Sequence, residues 1–215
     1  RDFVRNSKYF GVPQNRPRTY IMAFDRMHYD SSLIESLPNI LPTHNELQIY
    51  RDLNDLLEFN AEPRHYMSSG YLTTIEKHKK RQKARGNGFG YIVVNRPEIE
   101  HPLANTILAT GGSGKERNLV YDPQNGIANM VISTKATPLN SKGIRVMTPR
   151  EWGKLQGFIG YAFVENGVET FSFPPEISDC QKYKQFGNSV TIPVIETMAN
   201  FMYECFRTLN DLNVL

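Results

Sequence analysis

The stretch Gln185-Phe186-Gly187-Asn188-Ser189-Val190-Thr191-Ile192-Pro193 introduces a long amphipathic helical pattern at the end of the chain. Pro193 suits a first helical position, because the N–H that proline lacks is not needed there. Behind it, apolar residues recur at helical spacing and predict one apolar stripe, formed by Val194, Met198, Phe201, Met202, Cys205, Phe206 and Leu209. A Gly-Asn-Ser loop before a positive helix end is suited to a polar or anionic ligand. Spacing alone favours a simple turn before a core-packing helix.

The composition is that of a globular protein with a real core. The chain has 215 residues, of which 40% are hydrophobic and 22% charged, enough for one large or two small domains. No apolar run approaches about 18 residues and no signal sequence is visible, so we expect no membrane partner. Two cysteines, Cys180 and Cys205, do not make a disulfide framework, which favours a cytoplasmic location. The first residue is Arg1 rather than methionine, which indicates a fragment or a clipped product.

Positive charge is concentrated in one segment. Six cations occur without an acid between positions 77 and 85, and without them the net charge of +3 would become −3. They are Lys77, Lys79, Lys80, Arg81, Lys83 and Arg85. A solvated helix face is the usual explanation of such a run, and a phosphate-binding surface is the alternative.

An arginine phrase lies near the start, Gly11-Val12-Pro13-Gln14-Asn15-Arg16-Pro17-Arg18. Pro17 favours an extended backbone at Arg16, and in extended chain residues i and i+2 face the same side. Arg16 and Arg18 are therefore predicted to form a guanidinium pair suited to phosphate or a base edge, although an exposed strand edge is also possible. The apolar run 19–24 behind them predicts a buried strand.

The middle of the chain gives weaker patterns. Short helices are expected near 32–37 and 52–59, and a capping-box spacing at Thr73 predicts a helix that ends at Gly86. The glycines of Gly86-Asn87-Gly88-Phe89-Gly90-Tyr91 allow close approach of another surface. This phrase precedes an expected strand at 92–94, which is the reverse of a dinucleotide fingerprint.

The segment 106–133 reads as short strands joined by glycine-rich turns. The run 106–110 meets Gly111-Gly112-Ser113-Gly114-Lys115-Glu116-Arg117, which lacks the spacing of a phosphate loop. We expect a flexible hairpin that either touches DNA or simply turns. Further strands are predicted at 119–121 and 130–133.

The clearest helix signal starts at Thr148, with Pro149 at the first helical position, Glu151 completing a capping box and Gly157 ending the helix. Its pattern favours a structural role. Residues 159–177 resemble a loop, after which Ser178 is predicted to cap a short helix that leads into Gln185.

Three phrases resemble, in order, the eighth, ninth and tenth motifs of the cytosine-5 DNA methyltransferases. They are the arginine phrase, Thr148-Pro149-Arg150-Glu151 with Leu155-Gln156-Gly157-Phe158, and Gln185-Phe186-Gly187-Asn188-Ser189-Val190. About 120 variable residues separate the first two. The segments 86–91 and 106–107 look like parts of the family's target recognition domain, with Thr106 in the place of its threonine-plus-aliphatic pair.

The resemblance implies roles for individual residues. Arg16 and Arg18 would belong to the cytosine pocket, with Arg18 the stronger candidate for contacting the extruded base. Asn188, Ser189 and Val190 would line an S-adenosylmethionine pocket, and no metal site is expected. Structural residues that hold the recognition domain would be Arg150, Glu151 and Gln156. The DNA-facing residues would be Lys77, Lys79, Lys80, Arg81, Lys83, Arg85, Asn87, Thr106, Ser113 and Lys115.

Part of the family's chemistry is missing from this sequence. In the family, a cysteine thiolate from a Pro-Cys phrase attacks cytosine C6 after the base is flipped out, and a glutamate from a Glu-Asn-Val phrase assists. Neither phrase occurs here, and Cys180 and Cys205 are interpreted as structural. The early glycine-rich motif is also absent. The resemblance therefore implies that the first six or seven motifs lie upstream in a longer polypeptide or on a partner subunit.

The predicted fold is α/β, a partial doubly wound, Rossmann-like methyltransferase domain with a smaller mixed α+β DNA target recognition domain. Residues 1–27 and 178–215 would belong to the catalytic domain, and 28–177 would form the recognition domain. The predicted function is the DNA-recognising part of a DNA (cytosine-5-)-methyltransferase of a restriction-modification system, acting on duplex DNA and inert without its N-terminal half. The alternative is a non-catalytic DNA-binding module derived from such an enzyme. The target sequence and oligomeric state do not follow from the sequence.

Overall fold

The computed structural model describes residues 3–110 and 114–213. Ser113, one of the predicted DNA contacts, lies outside the described residues. The helices are α1 (Ser31–Ser36), α2 (Leu53–Leu56), α3 (Ser69–Ala84), α4 (Pro149–Gln156), α5 (Asp179–Asn188) and α6 (Ile192–Asn213). The strands are β1 (Val4–Asn6), β2 (Gln14–Asn15), β3 (Pro17–Thr19), β4 (Ala104–Asn105), β5 (Leu119–Tyr121), β6 (Ile144–Val146), β7 (Val164–Glu165) and β8 (Val168–Glu169).

The strands pair two by two. β1 pairs with β3, β5 with β6 and β7 with β8, all antiparallel. β2 and β4 form a parallel pair in which Gln14 lies opposite Ala104 and Asn15 opposite Asn105. We name residues 86–91 the glycine phrase. The β2–β4 pair joins the arginine phrase to the segment that follows this glycine phrase. Within the described residues no sheet exceeds two strands, so the predicted doubly wound sheet remains a proposal.

The capping signals predicted the helix starts around the site correctly. Thr148 Oγ1 accepts from Glu151 N at 3.1 Å and the Glu151 carboxylate accepts from Thr148 N at 2.7 Å. Gly157 ends α4 at a φ of 78°. Ser178 caps α5 with a second capping box. The apolar stripe of α6 is also confirmed, except that Met202 is 38% exposed.

Two of the predicted helices differ in extent. The predicted start of α3 at Thr73 is wrong, because the side chain of Ser68 caps the helix by accepting from Tyr71 N, and α3 begins at Ser69. Its end at Ala84, just before Gly86, is close to the predicted stop. α2 is shorter than expected because Asp52 caps its start and Leu57 is already extended.

Four predicted strands are shorter than expected or absent. In the run 19–24, only Thr19 belongs to a strand. The segments 106–110 and 130–133 contain no strand, and 92–94 is reduced to one bridge between Val93 and Leu119. At Ile107 the reason is visible, since its N–H donates to the Gln14 side chain and its carbonyl accepts from Arg16. Side chains therefore take the backbone groups that a strand ladder would use.

Two apolar clusters position the three motif-like phrases relative to one another. The central core packs α4 against α5, with the rings of Trp152 and Tyr183 4.7 Å apart and perpendicular. Gly153 is needed there, because a Cβ would lie 2.8 Å from Phe186 Cζ. A second cluster packs Phe10, beside the arginine phrase, on α6. Among the described residues no helix is long and apolar enough to cross a membrane.

Candidate functional site

Arg16 lies buried at the meeting point of three segments. They are the arginine phrase, the Gly-Asn-Ser phrase and residues 104–108, which we name the recognition segment after their predicted role. Its Nη1 donates to the Ile107 carbonyl at 2.9 Å, and its Nη2 donates to the Gly187 and Ser189 carbonyls at 3.2 and 2.8 Å. The last two carbonyls are at the negative end of α5, where a cation is stabilised. Burial, followed by the charge of Arg18, lowers the pKa of Arg16 to about 10. The guanidinium is therefore still charged at neutral pH.

Arg16 also carries the one unsatisfied buried atom found among the described side chains. Its Nε is buried and has no hydrogen-bond acceptor in this part of the chain. A buried donor left without an acceptor costs about 1–3 kcal/mol. This atom marks a place where an acceptor from another segment would add stability.

A chain of side chains continues from this point through the other two phrases. Gln156, on α4, donates to the Phe186 carbonyl at 2.8 Å and more weakly to the Ser189 carbonyl at 3.4 Å. Its Oε1 accepts from Thr191 Oγ1 at 2.8 Å, and Thr191 bonds Ser7 Oγ at 2.8 Å. Gln156 and Thr191 are both buried. The predicted structural role of Gln156 therefore has a definite geometry, which ties α4 to the α5–α6 junction.

Gln14 and Thr106 hold the recognition segment against the same centre. Gln14 donates to the Leu155 carbonyl at 3.0 Å and accepts from Ile107 N at 3.2 Å. Thr106 Oγ1 donates to the Asn15 carbonyl at 2.9 Å. In this structure Thr106 therefore bonds the protein's own backbone. We name the assembly of Ser7, Gln14, Arg16, Gln156 and Thr191 the phrase junction.

The prediction that Arg16 and Arg18 form an exposed guanidinium pair is wrong. Arg16 is only 4% exposed and bonds three backbone carbonyls, whereas Arg18 is exposed and donates to the Pro17 carbonyl at 2.7 Å. Arg16 lies between the strands Gln14–Asn15 and Pro17–Thr19 rather than inside one, and its side chain meets carbonyl groups whereas that of Arg18 meets solvent. Arg18 alone of the two is accessible to a ligand.

The Gly-Asn-Ser phrase is not a loop. Gly187 and Asn188 form the last turn of α5, and Ser189 ends it, with Ser189 Oγ donating to the Phe186 carbonyl at 2.7 Å. Asn188 is exposed and Val190 is 48% exposed, so both are accessible beside the start of α6. A Cβ on Gly187 would lie 2.3 Å from the Leu108 carbonyl oxygen. The glycine therefore allows α5 to contact the recognition segment.

The predicted structural pair Arg150 and Glu151 have different environments. Glu151 is fully buried and forms a bidentate ion pair with Arg145, at 2.8 and 2.9 Å, and it also accepts from Glu58 N. Arg150 is exposed and pairs with Glu58 at 2.9 Å. Arg145 was not predicted as a site residue. Its only sequence signal is an arginine between the apolar residues Ile144 and Val146 in a strand.

The basic segment forms the solvated C-terminal half of α3 together with its C-cap residue, Arg85. All six cations between Lys77 and Arg85 are exposed. Lys79 Nζ donates to the Tyr91 carbonyl at 2.8 Å, and the His78 and Phe89 rings pack 4.6 Å apart. The glycine phrase is therefore held along this helix, and the Asn87 backbone N–H closes the helix end by donating to the Gln82 carbonyl at 2.9 Å.

A groove of about 630 Å³ separates the glycine phrase from the arginine phrase. Its lining includes Asn15, Pro17, Gly88, Gly90, Thr106 and Arg117. Lys115 does not line this groove. It is half-buried in a different cavity, where its Nζ lies 4.0 Å from the centre of the Tyr183 ring and burial lowers its pKa. Among the described residues predicted to face DNA, only Thr106 lines this groove, and Lys115 lies apart from it.

A family model described as C-5 cytosine-specific DNA methylase matches residues 3–204. The Type II methyltransferase M.HpaII of Haemophilus parainfluenzae is 37% identical over 209 residues, covering 97% of this chain and 51% of that protein. The Type II methyltransferase M1.ScrFI of Lactococcus lactis subsp. cremoris is 30% identical over 195 residues, covering 91% of this chain and 41% of that protein. The chain therefore spans about half the length of the curated relatives it matches.

Solved structures give the same picture at the level of the fold. The Entamoeba histolytica methyltransferase EhMeth aligns with a TM-score of 0.59 at 16% identity, covering 95% of this chain and 53% of that one. The S. pombe Dnmt2 methyltransferase aligns with a TM-score of 0.52 at 12% identity, covering 95% and 56%. These likenesses show a methyltransferase fold. With the family model matching nearly all of its residues, the chain belongs to the C-5 cytosine-specific DNA methylase family.

Proposed function

We propose that this chain is the C-terminal, DNA-recognising part of a DNA (cytosine-5-)-methyltransferase of a restriction-modification system, working in the cytoplasm. The complete enzyme would transfer a methyl group from S-adenosylmethionine to cytosine C5 in duplex DNA. The N-terminal catalytic half, in the same polypeptide or on a separate subunit, would supply the nucleophilic cysteine. Residues 1–27 and 178–215 would complete the doubly wound catalytic domain, and 28–177 would read the DNA.

The phrase junction is the observation that carries this proposal. Three phrases that are far apart in sequence meet through buried side chains, with Arg16 bonding Ile107, Gly187 and Ser189 and with Gln156 bonding Thr191. Buried polar networks are costly unless every member is bonded. A chance likeness of short phrases would not bring their polar residues into one network.

The exposed residues around the junction divide into substrate and cofactor groups. Arg18 would contact the flipped cytosine, and Arg16 would act as a positioning residue behind it. Asn188, Ser189 and Val190 fit one side of an S-adenosylmethionine pocket, because an exposed amide and a half-exposed apolar side chain adjoin a helix start. When bound, S-adenosylmethionine supplies the methyl group. The basic face of α3 would neutralise DNA phosphates.

Two apolar faces support the need for a second half. Ile21 is 77% exposed on the side of its segment opposite Tyr20 and Met22, which pack against α6. On α6, Ile195 and Met202, each 38% exposed, form a second apolar row beside the buried stripe. A helix and a strand-like segment that are apolar on two sides are typical of elements packed on both sides. The Nε of Arg16, which lacks an acceptor among the described residues, is consistent with the same partner.

Complementation of the purified chain tests this function. The chain alone is expected to transfer no methyl groups from labelled S-adenosylmethionine to duplex DNA. Adding a segment that carries the family's Pro-Cys and glycine-rich phrases should restore transfer. Methylation by the chain alone, or no transfer after a stable complex has formed, would contradict the proposal.

A non-catalytic DNA-binding module is the second candidate, favoured by the exposed cations of α3 together with the positions of the two cysteines. Cys205 is buried in the α6 cluster, as expected for a structural residue, whereas Cys180 is exposed in the first turn of α5. Both functions predict salt-dependent DNA binding. Binding that persists while the complemented complex shows no cofactor-dependent transfer would favour this second function.

A further inference from the structure

Arg117 lies in the groove on a backbone that is fixed from several sides. Its carbonyl accepts from Asn105 Nδ2 at 2.8 Å. The neighbouring Asn118 bonds both backbone groups of Asn105, at 2.7 and 3.1 Å. The Arg117 side chain is exposed and forms no ion pair with a carboxylate in the part of the chain described. The backbone of Arg117 is therefore fixed, while the N–H donors of its guanidinium remain available to a ligand.

Glycine occupies two positions of the groove, 88 and 90, for different structural reasons. A Cβ on Gly90 would lie 3.0 Å from both Cγ and Nε of Arg117, so a glycine there leaves room for the arginine side chain. Gly88 does not have a positive φ, and a Cβ added to it would meet nothing within 4 Å. Nothing in the described chain requires glycine at 88. An open backbone position of this kind is suited to close approach of another molecule.

The groove is connected to the arginine phrase and bordered by positive charge. The parallel pairing of Asn15 with Asn105 and the bond from Thr106 to the Asn15 carbonyl fix one side of the groove beside the strand that carries Arg18. On the other side, Lys79 and the ring contact of His78 hold the glycine phrase along the basic face of α3. Arg117 supplies a positive charge to the groove lining, and Arg18 and the exposed cations of the α3 segment lie close in sequence to residues that border it, a charge complementary to duplex DNA.

We propose that Arg117 is a specificity-determining residue, which donates its two parallel N–H groups to N7 and O6 of a guanine next to the target cytosine. Gly88 would let the DNA approach the glycine phrase closely. Arginine is the side chain best suited to this contact, because its planar fork matches the two acceptors of the guanine edge. The inference rests on the proposed function. It identifies one base of the DNA target sequence, which could not be derived from the amino-acid sequence.

The test uses the chain assembled with the segment that carries the missing phrases. Methyl transfer is measured on a library of duplexes with randomised bases on each side of the cytosine. The Arg117→Ala and Arg117→Lys variants are both expected to reduce the preference for guanine at one position by about 5- to 100-fold. Lysine keeps the charge but not the fork. The Arg85→Ala variant, which removes an exposed cation of α3, should weaken transfer to all sequences alike and reduce its salt dependence.

The possible outcomes separate this inference from the proposed function. No methyl transfer by the wild-type assembly would overturn the proposed function and the inference with it. Transfer with an unchanged guanine preference in Arg117→Ala, or with an equal loss on every sequence, would overturn the role of Arg117 alone. The Gly88→Ala variant should melt no lower than the wild type but bind duplex DNA more weakly. Unchanged DNA affinity in that variant would refute close approach at Gly88.

Discussion

Arg16 and Arg18 are two residues apart in sequence, and burial gives them different tasks. Arg16 bonds three carbonyls that belong to the recognition segment and to the end of α5, while Arg18 faces solvent. A planar guanidinium can serve several carbonyls at once, and an ammonium group cannot do so in the same geometry. The first arginine of the phrase therefore holds the fold together, and we propose that the exposed second arginine serves the substrate.

This division predicts opposite results for two variants. Arg16→Lys should lower the free energy of unfolding of the chain by about 2–3 kcal/mol, because buried carbonyls lose charged hydrogen bonds. Arg18→Ala should change it by less than about 0.5 kcal/mol, as for other exposed positions, yet greatly reduce methyl transfer in the assembled enzyme. Urea denaturation and transfer assays measure the two effects. Equal stability of both variants would contradict the assignment of Arg16.

Nothing in the local sequence separates the roles of Arg16 and Arg18 or draws attention to Arg145. The i, i+2 spacing in an extended chain predicted that Arg16 and Arg18 face the same side. That spacing contains no information about which backbone carbonyls lie near either side chain. Arg145 became important only because Glu151, six residues further on, and Asp122, from the neighbouring strand region, lie against it in the fold at 2.8 and 2.6 Å. Tertiary partners of a buried charge are not encoded in its local pattern.

At the scale of elements, local chemistry predicted helix ends better than strands. The capping boxes of α4 and α5 need only residues three positions apart, so the sequence contains all the partners. A strand needs a second strand from elsewhere. The apolar run 19–24 has the composition of a buried strand, but within the described residues only Thr19 pairs in a ladder. The proposed N-terminal half would provide the missing pairing.

The contact between α5 and the recognition segment depends on one glycine. The Gly187→Ala variant places a methyl group 2.3 Å from the Leu108 carbonyl oxygen, which is backbone and cannot turn away. Overpacking of this kind typically costs about 1–3 kcal/mol. We expect a clear fall in melting temperature for Gly187→Ala. The matched Gly88→Ala variant, whose new methyl group meets open space, should not melt lower than the wild type. Similar melting of the two variants would show that α5 can move away from the segment.

At the scale of the whole molecule, three short phrases indicated the family, and the structure shows that these phrases meet. Gln14, Arg16, Gln156 and Thr191 all come from those phrases or their immediate neighbours. The relation between the groove and the arginine phrase was not predictable, because it depends on the parallel pairing of β2 with β4 across about 90 residues. Asn105 of the same pair bonds the Arg117 carbonyl, and Arg117, unlike Lys115, lines the groove.

The exposed apolar face at Ile21 leads to the last prediction. Ile21 and Val131 are both 77% exposed, but Ile21 lies beside the arginine phrase and Val131 lies in the recognition part. Ile21→Ser and Val131→Ser should each leave the stability of the separate chain nearly unchanged. If the catalytic half covers Ile21, burying that side chain contributes about 1.5–3 kcal/mol. Ile21→Ser should therefore need about 10- to 100-fold more of the complementing segment for half-maximal methyl transfer.

Val131→Ser is the control and should complement as the wild type does, because Val131 lies outside the segments that we propose to join the catalytic half. Titrating the complementing segment against a fixed amount of each variant gives the comparison directly. Equal titration curves for Ile21→Ser and Val131→Ser would mean that the face at Ile21 stays in solvent after assembly. The second half would then have to dock elsewhere, with the second apolar row of α6, at Ile195 and Met202, as the remaining surface to test.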